Sequence, residues 1–526
     1  MKSLLLVLLF TVTGVIANAQ TPPVWSTDIA PIMYNKCASC HRPDGIAPFS
    51  LLSFSDASAL AQSIKAQTNA GHMPPWPPDP HYRRLANERI LSVEEKARIS
   101  AWVDAGAPQG NPVAAPPVPT FPTGGELPGT PQLVVQIPAF TSTATTSDLY
   151  RCFVVPTNQT ADQFITAFEA IPGNRSIVHH VLVYADTTGA SAALDAQDPG
   201  PGYTSFGGIG VNNAVLIGGW VPGSQPMQYP QGFGVKLSKK AKLVLQIHYP
   251  AGSNGTVDST KLRIFFSSSP SIRPVLISPV LNHQVNISPS LVIPANTTNT
   301  FREQYQVGSN QNYSLLGIAP HMHLIGRNIT TYGVQTSGDT VHYISIPDWD
   351  FHWQGFYFFR NILKVAGGTK LISEAFYDNT TNNPENPSSP PVTVTAGEGT
   401  TDEMMLNYFI LTGYQAGDEN IIIDATPPAS LANSRPLYSG QQLLAPYPNP
   451  ATNTIYIKCH LQAPEQVRLD LMGLDGRNQY VIDNGIWLPL GYSVKEYKVP
   501  SLPSGTYMLR MFTTEGVKTE KIAITN

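Results

Sequence analysis

One cysteine pair and three histidine-bearing segments hold most of the chemistry this chain can offer. Cys37-Ala38-Ser39-Cys40-His41 has the spacing that lets two thiols take up the two vinyl groups of a haem while the next residue turns back to ligate the iron. Zinc is the competing use, but without a second CxxC it is short of ligands. Of the 12 histidines, His41 and three tight contexts account for six. The contexts are Val178-His179-His180-Val181, Gln246-Ile247-His248-Tyr249-Pro250 and Pro320-His321-Met322-His323-Leu324. Alternating apolar residues around them predict half-buried strands. On a strand His321 and His323 project on one face, so both imidazoles reach one metal while Met322 points away. His179 and His180 project on opposite faces unless the strand bulges or ends there. Imidazole clusters with no neighbouring carboxylate suit copper or zinc.

The CxxCH motif needs helices to hold it. Ile29, Ile32 and Met33 share a helical face just before it, and a second helix is predicted from Asp56 to about Thr68. A third begins at the capping box Ser92-Val93-Glu94-Glu95, buries Ile99, Trp102 and Val103, and ends near Gly106. The sixth iron ligand is expected from Gly71-His72-Met73-Pro74-Pro75-Trp76, with Met73 favoured over His72. Through Cys37 to Leu51 and Met73 to Pro80, residues 22–108 resemble the cytochrome c domain that precedes oxidoreductase domains in some secreted bacterial proteins. The resemblance implies one covalently bound haem c, held by Cys37, Cys40, His41 and Met73 and used for electron transfer. A proline-rich linker, 109–131 within the run Ala107 to Pro131, is predicted to be a semi-rigid extended spacer.

A second resemblance spans nearly 300 residues. Val178 to Tyr184, Gly219 to Ser224, Leu245 to Pro250, His321 to Arg327 and Asp402 to Tyr408 resemble, in order and spacing, segments of the copper type II, ascorbate-dependent monooxygenases. Dopamine beta-hydroxylase and peptidylglycine alpha-hydroxylating monooxygenase are members. The resemblance implies two copper ions, one on His179, His180 and His248 for electron transfer and one on His321, His323 and Met404 for dioxygen and substrate, making these last three the catalytic set. It also implies two nine-stranded jelly-roll-like β-sandwiches, 132–278 and 279–430, facing each other across a solvent-filled cleft. Electrons are expected to pass from an external donor, ascorbate-like or a redox protein, to the haem, then to the three-histidine copper, then to the other. Ala319 stands where the peptide-amidating branch has an arginine, which disfavours peptide substrates. Arg360, Asp348, Trp349, Trp353 and Tyr357 are candidate cleft residues. Cys152 is expected to be a buried free thiol.

The remainder sets the address. Lys2, the apolar run Leu4 to Phe10 and Ala17-Asn18-Ala19 read as an export signal over 1–19. No later stretch approaches the ~20 apolar residues a membrane helix requires. From Leu437 alternating strands and Gly473-Leu474-Asp475-Gly476 suggest an Ig-like β-sandwich over 440–526. Leu444 to Ala451 and Ser504 to Tyr507 resemble the sorting domain of the type IX secretion system, implying that machinery as a partner and a secreted or cell-surface destination. Charged residues are 13% and net charge is −4, which excludes a nucleic-acid footprint and argues for packed cores. The expected architecture is multidomain and mainly β, with a small all-α cytochrome c domain, two jelly-roll-like sandwiches and a C-terminal Ig-like sandwich. The expected activity is hydroxylation of a C–H bond of a small organic substrate with O2. The alternative is a non-enzymatic electron-transfer or copper-binding haem protein.

Overall fold

The computed structural model describes residues 21–525 apart from 44, 46, 122–124, 206–207, 268, 270, 430–440, 445, 447–448, 462–463, 474–478 and 489–490. The expected export signal, the Leu437 boundary, Leu474 to Gly476 and part of the Leu444 to Ala451 motif lie outside the described residues.

Apolar spacing builds the N-terminal helical module. A π-turn, Trp25–Ile29, leads into the helix Ala30–Lys36, which ends at Cys37. Ile29, Met33, Ile99 and Trp102 are fully buried together. The single helix expected from Asp56 to Thr68 is two, Phe54–Ala59 and Ala61–Ala70, broken where Leu60 leaves helical dihedrals. Val93–Asp104 carries the capping box: Ser92 Oγ accepts from Glu95 N–H at 3.1 Å, and a Glu95 carboxylate oxygen accepts from Ser92 N–H at 2.7 Å. Gly106 follows at φ +84°, which glycine adopts without strain.

Between the third and fourth α-helices the chain runs as an extended strap over a neighbouring β-domain. Asp79 N–H donates to Ser345 O and Ala86 N–H to Phe358 O, both at 2.8 Å. Leu85 bridges Phe359 and is 1% exposed, inside the same hydrophobic core as Tyr357. Trp76 meets the Tyr357 ring edge-on at 5.6 Å. The proline-rich segment also folds back, with Arg42 3.4 Å from Glu126 and the Glu126 amide donating to Glu169. Side-chain contacts, and not only linker length, therefore fix the helical module.

Two sandwiches follow. In the first, one sheet runs Leu133–Gln136, Lys261–Ser267, Gln163–Ile171, Phe233–Leu237, Arg273–Pro274, with Met227–Gln228 beside Gln163–Ile171. The other runs Tyr203–Thr204, Leu149–Pro156, Lys242–Tyr249, His180–Asp186, Val215–Trp220. Lys242–Tyr249 is central and buried on both faces, so the half-buried alternation expected there is lost; His180–Asp186 keeps it. In the second sandwich, Leu276–Asn282, Leu406–Gly413, Tyr313–His321 and Tyr357–Val365 form one sheet, and Thr298–Gln306, Lys370–Asp378, Gly326–Val334 and Thr340–Ile346 the other. Counting short strands, the two regions hold thirteen and ten among the described residues, more than nine each. Leu316, Ile362 and Ile410 of the second join the apolar core of the first, so part of the interface between them is an apolar contact. A further seven-strand pair of sheets, Gln442–Leu443 to Gly516–Ile524, closes the chain.

Glu303, on Thr298–Gln306, is fully buried and neither carboxylate oxygen has a hydrogen-bond partner among the described residues. Burial pushes its pKa up to about 9. The folded protein then holds a proton that the unfolded chain releases above its ordinary value of about 4.3, so this group's contribution falls as pH rises from there towards 9. We expect Glu303→Gln to flatten the loss of Tm between pH 6 and 8.5; equal slopes in variant and wild type would exclude this role.

Candidate metal centres

The His180–Asp186 strand begins at His180, so the residue before it is free of the pleat. His179 N–H donates to His248 O at 2.9 Å, and its ring turns to the same side as His180. His179 Nδ1 lies 3.4 Å from His180 Nδ1 and 3.1 Å from His248 Nδ1. One ligand nitrogen from each ring falls within 4.8 Å of the others. Nitrogens this close share an N–H···N proton or hold a cation between them, and the rings are neutral: burial pushes His179 down to about 3 and His180 well below its ordinary value. His179 Nε2 and His248 Nε2 are buried without a hydrogen bond. Neutral imidazoles whose Nδ1 atoms converge fit a copper ion. Tyr150 stacks flat on His248, 4.3 Å between centroids and 7° between planes. Asp148 Oδ2 stands 3.1 Å from His248 Nε2, close but outside hydrogen-bond alignment, so a carboxylate does neighbour the cluster, contrary to the sequence reading.

His321 and His323 converge by a different route from the expected one. The Tyr313–His321 strand stops at His321, Met322 is fully buried, and His323 stands in the turn beyond. The two rings are 5.1 Å apart at 81°. His321 Nδ1 pairs with Gln354 Oε1 at 2.5 Å and His323 Nδ1 with Asp402 O at 3.1 Å. Both partners are carbonyl oxygens, so each Nδ1 carries the proton and each Nε2 keeps its lone pair. Burial lowers their pKa values to about 3 and about 4. Glu403, fully buried, accepts from the backbone N–H of His323 and Ile325 at 2.9 Å and of Met404 at 3.0 Å, tying the histidine turn to the methionine. Trp349 Nε1–H donates to His323 O at 3.2 Å, and Tyr377 Oη–H to Met404 O at 2.8 Å. Two imidazoles with free Nε2 atoms and a thioether fit a second, softer copper position.

His179, His180, His321, His323 and Met404 line one cavity of about 310 Å³; Met405 is fully buried elsewhere in the core. Leu182, Leu216 and Phe356 give the cavity apolar walls, Ala319 lines it, and no lysine or arginine does. Glu398 is its one carboxylate, raised in pKa by burial and by Asp402. Arg360, Asp348, Trp349, Trp353 and Tyr357 do not line it. Trp349 and Tyr357 are core residues, and Arg360 pairs with Asp424 at 2.9 Å. Phe351, His352, Gln354 and His283 line it instead. Sequence reasoning passed over these four, and over Asp148 and Glu403, although Glu403 directly precedes the chosen methionine.

In the helical module, Cys37 and Cys40 are free thiols. His41 Nδ1 is 3.3 Å from Phe49 O, leaving Nε2 open, and burial lowers its pKa against that hydrogen bond. Phe49 and Met73 are exposed at 43% and 37%, whereas His72 is engaged with Gln67 Oε1 at 3.0 Å. Two thiols, an oriented neutral imidazole and bare apolar side chains fit a covalently attached haem. Cys152 and Cys459 are buried free thiols, and burial raises both to about 12.

Family comparison agrees with the two sandwiches. The copper type II ascorbate-dependent monooxygenase N-terminal domain matches residues 134–254 and its C-terminal domain residues 277–434, together more than half of the chain. The chain belongs to this monooxygenase family. Residues 445–525 match a secretion system C-terminal sorting domain. Among curated relatives, DBH-like monooxygenase protein 1 of Mus musculus is 23% identical over 49% of this chain and 43% of its own length. Tyramine beta-hydroxylase of Caenorhabditis briggsae is 25% identical over 45% of this chain and 40% of its own. The chain thus spans less than half the length of these relatives. A β-D-mannosidase from Dictyoglomus thermophilum, 12% identical over 43% of this chain and 29% of its own, has a TM-score of 0.12, too low to carry any argument about this fold. No described helix is long and apolar enough to cross a membrane.

Glu403→Gln replaces an acceptor of three amide hydrogens with a group that presents donors to them. In this monooxygenase-family chain we expect about 1–3 kcal/mol lower stability and selective loss of copper from the methionine side. Unchanged melting with undiminished copper content would show that the carboxylate does not position that site.

Proposed function

We propose that the protein is a secreted dicopper monooxygenase that hydroxylates a C–H bond of a small, neutral or cationic organic molecule with O2, its electrons supplied through a c-type haem. The observation that carries this reading is that two ligand sets of different softness, the His179, His180 and His248 cluster and the His321 and His323 pair with Met404, meet at a single cavity that no lysine or arginine lines. Bound copper would supply dioxygen chemistry and electron storage, and the haem an electron supply. His179, His180 and His248 would hold one copper; His321, His323 and Met404 would hold the other and face substrate. Cys37, Cys40 and His41, with Met73 as sixth ligand, would hold the haem.

The chain's own groups do the positioning. Burial keeps the imidazoles unprotonated, the Gln354 and Asp402 oxygens fix their tautomers, and Met404 makes the second set favour the cuprous state. Leu182, Leu216 and Phe356 exclude water beside the reacting centre. Glu398 and the absence of cavity lysine or arginine disfavour anionic substrates, and Ala319 offers a peptide carboxylate no partner. The sorting domain supports export through the type IX machinery to the cell surface or medium, with an external reductant closing the cycle.

Purified mature protein is expected to hold two coppers and one iron per chain by elemental analysis. Oxygen uptake should be matched by hydroxylated product, and Met404→Ala should abolish that product while the haem spectrum stays intact. Peroxide as the sole product of wild-type oxygen uptake would instead favour a copper-holding electron carrier. Loss of covalent haem in Met404→Ala would contradict separate sites.

A further inference from the structure

The haem-attachment motif and the dicopper cavity belong to different folding units, yet one short loop touches both. A methyl group added at Gly223, where φ is +71°, would lie 3.0 Å from Arg89 Nη1, 3.3 Å from Cys40 Sγ and 3.6 Å from Trp353 Cζ3. The thiol and the indole therefore face each other across a bare glycine, at most about 7 Å apart with those two distances laid end to end. Arg89 donates to Gly223 O and lies over the Trp76 ring at 5.8 Å, clamping the strap to the glycine loop. Trp353 is bonded in sequence to Gln354, whose side-chain amide donates to Phe351 O at 2.9 Å. That bond turns Oε1 towards His321 Nδ1 at 2.5 Å.

We infer that Trp353 and Gln354 form the through-protein link between the CxxCH segment and the dicopper cavity, and that the link ends at His321, not at the three-histidine cluster. The alternative branch also starts in this loop, but it passes through ring contacts alone: Phe351 stacks on His179 with centroids 5.7 Å apart and His352 meets that ring edge-on at 5.6 Å, with no hydrogen bond joining them among the described residues. Electronic coupling through covalent and hydrogen bonds decays more slowly than across a van der Waals gap, so the bonded branch dominates. The inference rests on the proposed haem and copper loading, and reverses the order expected from sequence. Each electron crossing the link oxidises one ferrous iron to ferric and reduces one cupric ion to cuprous. Two crossings serve each hydroxylation, with an external one-electron donor restoring the iron.

The test follows haem absorbance, not turnover. Full-length protein with haem and cupric ion is reduced at the haem by a substoichiometric fast donor without oxygen, and decay of the ferrohaem band is timed. Trp353→Leu should slow the copper-dependent decay about tenfold or more, Trp353→Phe should largely restore it, and ascorbate-driven reduction of copper should be unaffected by either. His248→Ala, which breaks the three-histidine set, should leave the fast decay in place. Unchanged decay in Trp353→Leu, or slowing in His248→Ala equal to that in Trp353→Leu, would overturn the assignment. Wild-type decay no faster with copper than without it would instead remove the haem-feeding reading itself, whatever the variants do.

Discussion

Dehydration of imidazole is the constraint on which the rest depends. A histidine in water is partly protonated near neutral pH, and a protonated ring cannot donate a lone pair. Here His179, His180, His321 and His323 are all depressed by burial, two of them to about 3 and one to about 4, so the rings stay neutral. Such burial cannot be provided by one sheet, because the cavity is lined by residues of both sandwiches. The apolar contact of Leu316, Ile362 and Ile410 with the first core joins the two halves beside it.

Satisfaction of the backbone follows from the same burial. A turn leaving the Tyr313–His321 strand inside a core strands its amides, and each unpaired one would cost about 1–3 kcal/mol. Glu403 answers two of them, His323 and Ile325, and the amide of Met404 as well. The carboxylate is itself dehydrated, which raises its pKa to about 8 in spite of those donors. Placing the methionine next to this glutamate means that the side chain repairing the turn also sets the position of the thioether.

Much of this was legible in the sequence because ligand chemistry and strand alternation are local. The histidine contexts, the CxxCH motif and the Ser92 capping box all come from residues a few positions apart, whereas Met404 is preferred to Met405 on the family resemblance alone. What escaped is what depends on distant chain. Asp148 reaches His248 from a position 100 residues away, and Gln354 reaches His321 from 33 away. Nothing in the spacing of either residue marks it. The aromatic and charged residues chosen around 348–360 were the right neighbourhood with the wrong members: Phe351, His352 and Gln354 face the cavity, while Trp349 and Tyr357 pack behind it. The helix break at Leu60 and the extra short strands reflect packing that pattern alone does not register.

The strap from Trp76 to Arg89 changes how the chain can be cut. Leu85 sits within the hydrophobic core of the second sandwich, and Trp76 packs against its edge. A version beginning after the proline-rich segment would leave the Phe359 and Tyr357 surface uncovered and the carbonyl oxygens of Phe358 and Ser345 without the amide donors of Ala86 and Asp79. The helical unit is thus a plug as well as a passenger, and swapping it for another carrier would require grafting those side chains along with it.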